Sequence, residues 1–144
     1  MKTVAEILRS KPQAALYSIG SDDSLLDGLR LMAQKDIGAL VVLNAGRLVG
    51  IVSERDYVRK VALAERSMLN AKISEIMTAE VITVGPRDSL QHCLGVMSQR
   101  RLRHLPVIAE GELIGLLSIG DLVKETITEQ AVLIQQLEEY IRGG

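Results

Sequence analysis

The sequence predicts a mixed α/β fold (α+β) in which one β-α-β-β-α unit occurs twice, with pseudo-two-fold symmetry between the copies. The chain matches itself without a gap when residues 20–60 are laid on residues 85–125, and fifteen aligned positions are identical. About three would agree by chance at ordinary composition, so the match indicates a duplication. A signature, Gly-x-x-Ser-x-x-Asp, recurs at the same place, as Gly50, Ser53 and Asp56 and again as Gly115, Ser118 and Asp121.

Each copy is predicted to open with a short apolar strand, at residues 16–19 and 81–84. An amphipathic helix should follow, because apolar residues recur at helical spacing in both copies. These residues are Leu25, Leu29 and Met32 in the first copy and Leu90, Leu94 and Met97 in the second. Ser21 is the expected N-cap of the first helix, and Pro86 is expected in the first turn of the second.

Two further strands joined by a tight turn complete the predicted sheet of each copy. The strands are expected at residues 40–43 and 48–52, and again at 105–108 and 113–117. Gly46 and Gly111 should supply the positive φ that such a turn needs. A strand-helix-strand unit pairs its strands in parallel and a hairpin pairs them antiparallel, so each sheet is expected to be mixed. A second helix is predicted to begin at Ser53 and at Ser118.

The two copies are assigned to residues 1–66 and 67–144, which together form one module. Residues 4–7 match residues 73–76 at a different offset, so the first copy has four extra residues around positions 11–16. A surface loop accommodates such an insertion at small cost. The apolar faces of the two copies are expected to pack through their sheets.

A long helix is predicted to continue over residues 129–142 after the second copy. Its apolar stripe consists of Ile127, Ala131, Ile134, Leu137 and Ile141. Two interpretations are open: the helix packs on its own module, or the stripe is a contact between two molecules.

The composition argues against nucleic-acid and membrane partners. The 144 residues contain 17 Lys plus Arg and 18 Asp plus Glu, and the only aromatic residues are three tyrosines, so a basic footprint and a stacking surface are both lacking. The apolar runs are too short to span a bilayer, and the N-terminus does not resemble a signal peptide. Cys93 is the single cysteine, which excludes an internal disulfide. We therefore expect a cytoplasmic protein.

The ordered set of features resembles the cystathionine-β-synthase (CBS) domain, and the tandem arrangement resembles the CBS pair known as a Bateman module. The resemblance covers nearly the whole chain, and its strongest segments are residues 50–56 and 115–121, supported by residues 37–42, 102–107 and 76–78. It implies two clefts between the copies, each able to hold an adenosine-containing ligand. It also implies that two modules associate into a flat, disc-like homodimer.

The resemblance also implies a ligand class. AMP is the first expectation, and ADP, ATP, NAD and S-adenosylmethionine are the other typical ligands of the family. Most members are regulatory sensors, and the sequence does not identify the protein that this chain would regulate.

The serine and aspartate of the signature have two compatible roles. Ser-x-x-Asp at a helix start can form a capping box, with Asp in place of the usual Glu or Gln. A carboxylate there can also accept hydrogen bonds from both ribose hydroxyls, close to a helix N-terminus that favours phosphate. By resemblance, the ribose role falls on Ser53, Asp56, Ser118 and Asp121.

Small residues at a strand start leave room for a flat base against the backbone. By resemblance and position, the candidate adenine-binding residues are Tyr17, Ser18, Ile19, Gly38, Ala39 and Leu40 in the first copy and Val81, Ile82, Thr83, Leu105 and Pro106 in the second. For Gly38 and Ala39, tight packing without a binding role is the alternative.

The second copy carries Arg103 and His104 where the first has Gly38 and Ala39. An arginine forms forked hydrogen bonds to phosphate oxygens, and a histidine adds a donor. In relatives, basic residues at this place face the phosphates of a nucleotide. We therefore expect Arg55, Arg103 and His104 to bind phosphate, and we expect the two clefts to differ.

No pattern in the sequence predicts an enzyme. There is no phosphate-binding loop, no nucleophile paired with a base, and no Cys/His cluster with the spacing of a metal site. The predicted function is a regulatory sensor that binds an adenine nucleotide without a catalytic cofactor or metal. The alternative is a non-catalytic dimerisation or protein-interaction module that binds no ligand. A weak hydrolase is a third and less favoured alternative.

Overall fold

The computed structural model describes residues 2–11, 16–62 and 70–143. Its helices are α1 (Val4–Ser10), α2 (Leu25–Lys35), α3 (Glu54–Tyr57), α4 (Leu90–Arg100) and α5 (Ile119–Gly143), and its strands are β1 (Ser18–Gly20), β2 (Ala39–Asn44), β3 (Arg47–Ser53), β4 (His104–Ala109) and β5 (Glu112–Ser118). A π-helical turn at Val58–Ala62 continues α3, and a 3₁₀ turn covers Ile73–Glu75. Most of the predicted insertion, at residues 12–15, and the assigned boundary between the copies lie outside the described residues.

The first copy has the predicted mixed sheet. Strand β1 is parallel to β2, and β2 is antiparallel to β3. Strands β4 and β5 form the same hairpin in the second copy. The strand predicted at residues 81–84 is wrong in extent, because Val84 alone forms a parallel bridge, to Val107. In a longer parallel ladder, the N–H of residue 106 would donate to the carbonyl oxygen of residue 82. Pro106 has no N–H, so this hydrogen bond cannot form.

The two hairpin turns have the predicted conformation. Ala45 and Gly46 have φ angles of 51° and 78°, and Glu110 and Gly111 repeat the same two values. Positive φ at both central residues defines the type I′ turn, whose twist matches that of the flanking strands. The expectation for Gly46 and Gly111 is therefore confirmed.

Helix α2 begins later than predicted. Its N-cap is Ser24 rather than Ser21, because Ser24 Oγ accepts a hydrogen bond from Asp27 N at 3.1 Å. The delay has a local cause: the carboxylate of Asp23 accepts a hydrogen bond from Gly20 N at 2.8 Å and closes a turn before the helix. The second copy repeats this arrangement, with Asp88 closing the turn around Pro86 and Ser89 as the N-cap of α4.

The core of each copy is completed by the N-terminal segment of the other copy. Val4 and Ile7 of α1, at the start of the first copy, are buried in the core of the second. Ile73 and Ile76, near the start of the second copy, are buried in the core of the first. The two copies therefore exchange equivalent N-terminal segments.

Backbone hydrogen bonds hold both exchanged segments at equivalent places. In the first copy, Ile73 N donates to Asp23 O at 2.8 Å and Leu25 N donates to Ala71 O at 2.9 Å. The equivalent bonds in the second copy run from Val4 N to Asp88 O at 2.9 Å and from Leu90 N to Lys2 O at 3.0 Å. The exchanged segments thus provide hydrogen-bond partners for backbone groups at the starts of α2 and α4.

The glycines of the signature make room for the exchanged segments. A Cβ added at Gly50 would lie 2.5 Å from Met77 Sδ and 3.0 Å from the carbonyl oxygen of Thr78. A Cβ added at Gly115 would lie 2.8 Å from a methyl carbon of Leu8 in α1. Neither glycine has a positive φ, so close approach of the neighbouring segment, and not backbone conformation, requires them.

Helix α5 packs on the module over its N-terminal part. Leu122 is fully buried in the core of the second copy. Glu125 receives a hydrogen bond from Ser10 Oγ at 3.0 Å and lies 3.2 Å from Lys2 Nζ. Beyond that point the predicted stripe is exposed, with Ile134 at 55% and Ile141 at 80% of full accessibility. No described helix has the length and apolar character needed to cross a membrane.

Replacing the two signature glycines by alanine should destabilise the fold unequally. At Gly50 the new methyl group meets a backbone atom, which cannot rotate away, whereas at Gly115 it meets the end of a leucine side chain. We expect Gly50→Ala to lower the free energy of unfolding by about 2–3 kcal/mol and Gly115→Ala by about 1 kcal/mol, measured by urea unfolding. Gly95→Ala, at a helix position with open space around it, is the control and should not destabilise. Equal losses at Gly50 and Gly115 would contradict the interpretation.

Candidate functional site

Two clefts lie side by side where the copies meet, and each has walls from both copies. The tyrosine cleft, of about 390 Å³, is lined by residues that include Tyr17, Gly38, Ala39, His104 and Ser118. The arginine cleft, of about 470 Å³, is lined by residues that include Ser53, Arg55, Asp56, Arg101 and Arg103. Gly38 and His104 line both clefts.

Strand register places the residues that differ between the copies beside the signature serines. Ala39 lies opposite Ser53 in the first hairpin, and His104 lies opposite Ser118 in the second. In each copy, the first residue of the following helix donates a backbone hydrogen bond to the residue that precedes the strand. Glu54 N donates to Gly38 O at 3.0 Å, and Ile119 N donates to Arg103 O at 2.8 Å. Strand start and helix start are thus held together in both copies.

The signature serine and aspartate cap α3 and α5 as predicted. Asp56 Oδ2 accepts hydrogen bonds from Ser53 N at 2.8 Å and from Ser53 Oγ at 3.1 Å. Asp121 Oδ2 accepts from Ser118 N at 2.8 Å, and Ser118 Oγ accepts from Asp121 N at 3.1 Å. The capping role is confirmed, and the ribose role stays a prediction.

Each signature carboxylate also pairs with a lysine that the sequence analysis did not single out. Lys60 Nζ lies 3.2 Å from Asp56 Oδ1, and Lys11 Nζ lies 3.0 Å from Asp121 Oδ2. Each ammonium group also donates to a backbone carbonyl oxygen within 2.8 Å. Lys60 follows Asp56 by four residues, a spacing that predicts contact on a helix. Lys11 and Asp121 lie near opposite ends of the chain, and no local pattern links them.

Positive charge concentrates in the arginine cleft. The three predicted phosphate-binding residues, Arg55, Arg103 and His104, all line it, and so do Arg59, Lys60 and Arg101. Its acidic lining residues are Glu54 and Asp56. Of the described residues that line the tyrosine cleft, the charged ones are Lys11 and Asp36, so an anion is attracted more strongly to the arginine cleft.

A charge reversal at one pair of equivalent positions adds to this difference. Asp36 is the C-cap of α2 and Arg101 is the C-cap of α4, with left-handed φ angles of 53° and 54°. Asp36 lines the tyrosine cleft, whereas Arg101 lines the arginine cleft. The same backbone position therefore presents opposite charge to the two clefts.

His104 is the titratable group at the wall that the clefts share. Burial lowers its pKa from the ordinary 6.5, the carboxylate of Asp121 opposes this shift, and the cations Lys11 and Arg103 add to it. Because the net shift is downward, the imidazole is neutral at neutral pH and carries one donor and one acceptor.

The predicted adenine-binding residues are distributed over three places. Tyr17, Gly38 and Ala39 line the tyrosine cleft. Ser18, Val81 and Thr83 line a separate groove of about 970 Å³ beside the hairpin turns. The others lie in or against the cores, with Ile19, Leu40, Leu105 and Pro106 buried and Ile82 packed against the second core. Successive residues of a strand face opposite sides of a sheet, so the structure does not bring this set together at one place.

Cys93 bears on catalysis, and the arrangement of the His, Cys, Asp and Glu side chains bears on metal binding. Cys93 is buried in the core of the second copy, and burial raises the pKa of its thiol to about 11, so it is a packing residue rather than a reactive thiolate. Within residues 2–11, 16–62 and 70–143, no group of three or more His, Cys, Asp or Glu side chains could hold a metal ion.

Comparison with known proteins agrees with the duplication. The profile of the CBS domain matches residues 4–63 and 73–127. The chain is 38% identical to the CBS domain-containing protein CBSX3, mitochondrial, of Arabidopsis thaliana, over 99% of this chain and 73% of that protein. A solved structure with CBS domains from Burkholderia ambifaria MC40-6 is 49% identical with a TM-score of 0.85, over 90% of this chain and 96% of that one.

A second similar structure was solved with ligands. It is the CBS domain pair of the protein MJ0100 in complex with 5′-methylthioadenosine and S-adenosyl-L-methionine. It is 26% identical with a TM-score of 0.76, and the match covers 90% of this chain and 98% of that one.

The lowered pKa of His104 predicts a specific loss of stability in mild acid. The unfolded chain takes up a proton near pH 6.5, whereas the folded protein does so only at lower pH. The free energy of unfolding should therefore fall as pH drops below about 6.5, by at most about 1.4 kcal/mol per pH unit. Urea unfolding between pH 7.5 and 5.5 should show a smaller loss in His104→Ala. The exposed His92 provides the control, since His92→Ala should keep the full loss.

Proposed function

We propose that this chain, which belongs to the CBS domain family, is a non-catalytic regulatory module that binds an adenosine-containing ligand in the clefts between its two copies. The observation that carries the proposal is the placement of Ser53 with Asp56, and of Ser118 with Asp121, at helix starts in this region. A carboxylate has about four lone-pair sites, so capping leaves acceptors for ribose hydroxyls. The helix N-terminus beside it favours phosphate.

The ligand assignment follows the distribution of charge. We propose AMP as the first ligand to test, with ADP, ATP, NAD and S-adenosylmethionine as the alternatives. Its phosphate would lie against Arg55, Arg103 and His104 in the arginine cleft. Gly38 and Ala39 give the tyrosine cleft a small-residue wall suited to a flat base. The adenosyl ligands of MJ0100 support this class of ligand and do not select among its members.

The lysines paired with the carboxylates are part of the proposed site. A ribose that donates to Asp56 or Asp121 would compete with Lys60 or Lys11 for the same oxygens. A displaced ammonium group remains close enough to meet a phosphate. Binding would thus replace the ion pair between lysine and aspartate with two contacts to the ligand. The carboxylate would contact the ribose, and the ammonium group would contact the phosphate.

Regulation follows from the two-sided construction of the clefts. Because both copies line each cleft, a ligand contacts both and favours one arrangement of them over another. Such a shift would change a surface that a regulated protein recognises. The cytoplasmic location expected from the sequence stays a prediction.

A thermal-shift series tests this function. AMP, ATP, NAD and S-adenosylmethionine are added in turn, and an excess of one hundredfold over Kd stabilises by about 2.7 kcal/mol. For a chain of this size the melting temperature should rise by about 5–10 °C. Asp56→Asn or Asp121→Asn should remove the increment of whichever cleft is used, while the exposed Asp27→Asn should keep it. No increment with any ligand would refute the binding function.

A second candidate function is dimerisation, favoured by the exposed stripe on α5. We propose that the stripe around Ile134 and Leu137 packs against a second copy, since the apolar residues lie on one helix face and have no partner among the described residues. This would add to the disc-like homodimer expected of the family, and it does not require a ligand.

Substituting Ile134→Lys together with Leu137→Lys should shift the molecular mass in light scattering from dimer to monomer. A charge at each site would have to be buried without a partner in the helix contact. Val132→Lys replaces an equally exposed apolar residue on the other face of α5 and should leave the mass unchanged. A native protein that is already monomeric would refute this contact.

A further inference from the structure

Among the residues that the structure describes, His104 is the one titratable side chain that lines both clefts. We infer that His104 couples the two clefts electrostatically, so that the affinity of the arginine cleft for an anion depends on the ion pair between Asp121 and Lys11, of which Lys11 lines the tyrosine cleft. The inference rests on the proposed function in taking the arginine cleft as a phosphate site. It adds His104 as the residue through which binding in one cleft changes the affinity of the other cleft.

Three charged groups act on His104. Asp121 belongs to α5, Lys11 follows α1, and Arg103 precedes β4. Ser118 of β5 lies opposite His104 in the hairpin and contributes an uncharged hydroxyl. Lys11 and Asp121 are themselves paired at 3.0 Å, so any ligand that separates this pair changes the field at His104.

An anion and a proton should therefore bind cooperatively. A dianion bound beside Arg103 favours the imidazolium form of His104 and so raises the pKa of His104. By linkage, the protonated protein binds the anion more tightly. Loss of the Asp121 charge lowers the pKa of His104 further and should weaken anion binding, while loss of the Lys11 charge should strengthen it.

These two effects have signs opposite to those of direct attraction. By direct attraction, removing a carboxylate strengthens anion binding and removing an ammonium group weakens it. Transmission through His104 reverses both signs. The sign of the change, rather than its size, therefore distinguishes coupling from a simple change in net charge.

The duplication supplies matched variants. The first copy carries Ala39 at the position equivalent to His104 and Gly38 at the position equivalent to Arg103. His104→Ala and Arg103→Gly therefore install residues that the same backbone already accommodates in the first hairpin. His92→Ala removes the other histidine, which is exposed on α4.

Sulfate is the probe, because it stays a dianion where phosphate changes its own charge near pH 6. Sulfate affinity is measured by NMR titration at constant ionic strength, at pH 5.5, 6.5 and 7.5. We expect about three- to tenfold tighter binding at pH 5.5 than at pH 7.5, since one unit of pKa shift is a tenfold change. The change should shrink below about twofold in His104→Ala and persist in His92→Ala. With two histidines in the chain, the imidazole signal of His104 reports the pKa rise directly.

The cross-cleft variants decide the inference. At pH 6.5, Asp121→Asn should weaken sulfate binding and Lys11→Met should strengthen it, and in a His104→Ala background both changes should revert to the signs of direct attraction. Sulfate binding that Arg103→Gly abolishes, but with a pH dependence that survives in His104→Ala, would overturn the coupling and leave the proposed phosphate site intact. Absence of sulfate binding, or binding unaffected by Arg103→Gly, would overturn the phosphate site and the coupling together.

Discussion

The exchange of N-terminal segments between the copies is the constraint on which the rest of the structure depends. Ile73 and Ile76 fill the core of the first copy, and Val4 and Ile7 fill the core of the second. The backbone hydrogen bonds that accompany this exchange also satisfy backbone groups at the starts of α2 and α4. Gly50 and Gly115 are required because the exchanged segments pass against them. Since each copy is held by the other's segment, the walls of both clefts keep a defined relation, which a ligand-binding site between two units needs.

Features set by local chemistry could be predicted from the sequence. The duplication is visible in the sequence itself. The positive φ at Gly46 and Gly111 and the caps formed by Ser53 with Asp56 depend on neighbours within a few residues. The errors arose where distant or competing contacts decide. Asp23 closes a turn, so the N-cap of α2 is Ser24 rather than Ser21. Pro106 lacks the N–H donor that a longer strand at residues 81–84 would need. The ion pair of Lys11 with Asp121 joins the two ends of the chain, and only the folded structure reveals it.

The candidate site was predicted in the same uneven way. The ribose candidates follow from the repeated signature and the resemblance that it carries, and Arg103 and His104 follow from comparing the copies position by position. The binding roles of these residues stay predictions. Arg59 and Arg101 were missed, since a charged residue in a helix or at its end usually belongs to a solvated face. The adenine candidates form continuous stretches of sequence, whereas a strand presents alternate residues to opposite sides. One carboxylate in each copy caps a helix and pairs with a lysine, so the proposed binding role would fall on atoms that also stabilise the fold.

Placing both copies in one chain has a consequence for how the two clefts can diverge. A symmetric dimer of a single copy has two identical clefts, and every substitution appears in both at once. Here each position exists twice and can change alone, as Asp36 and Arg101, or Ala39 and His104, have done. The exchanged segments keep the backbone frame common while the side chains specialise. The fused pair can therefore present two chemically different clefts on one backbone frame, which no symmetric assembly of identical units can do.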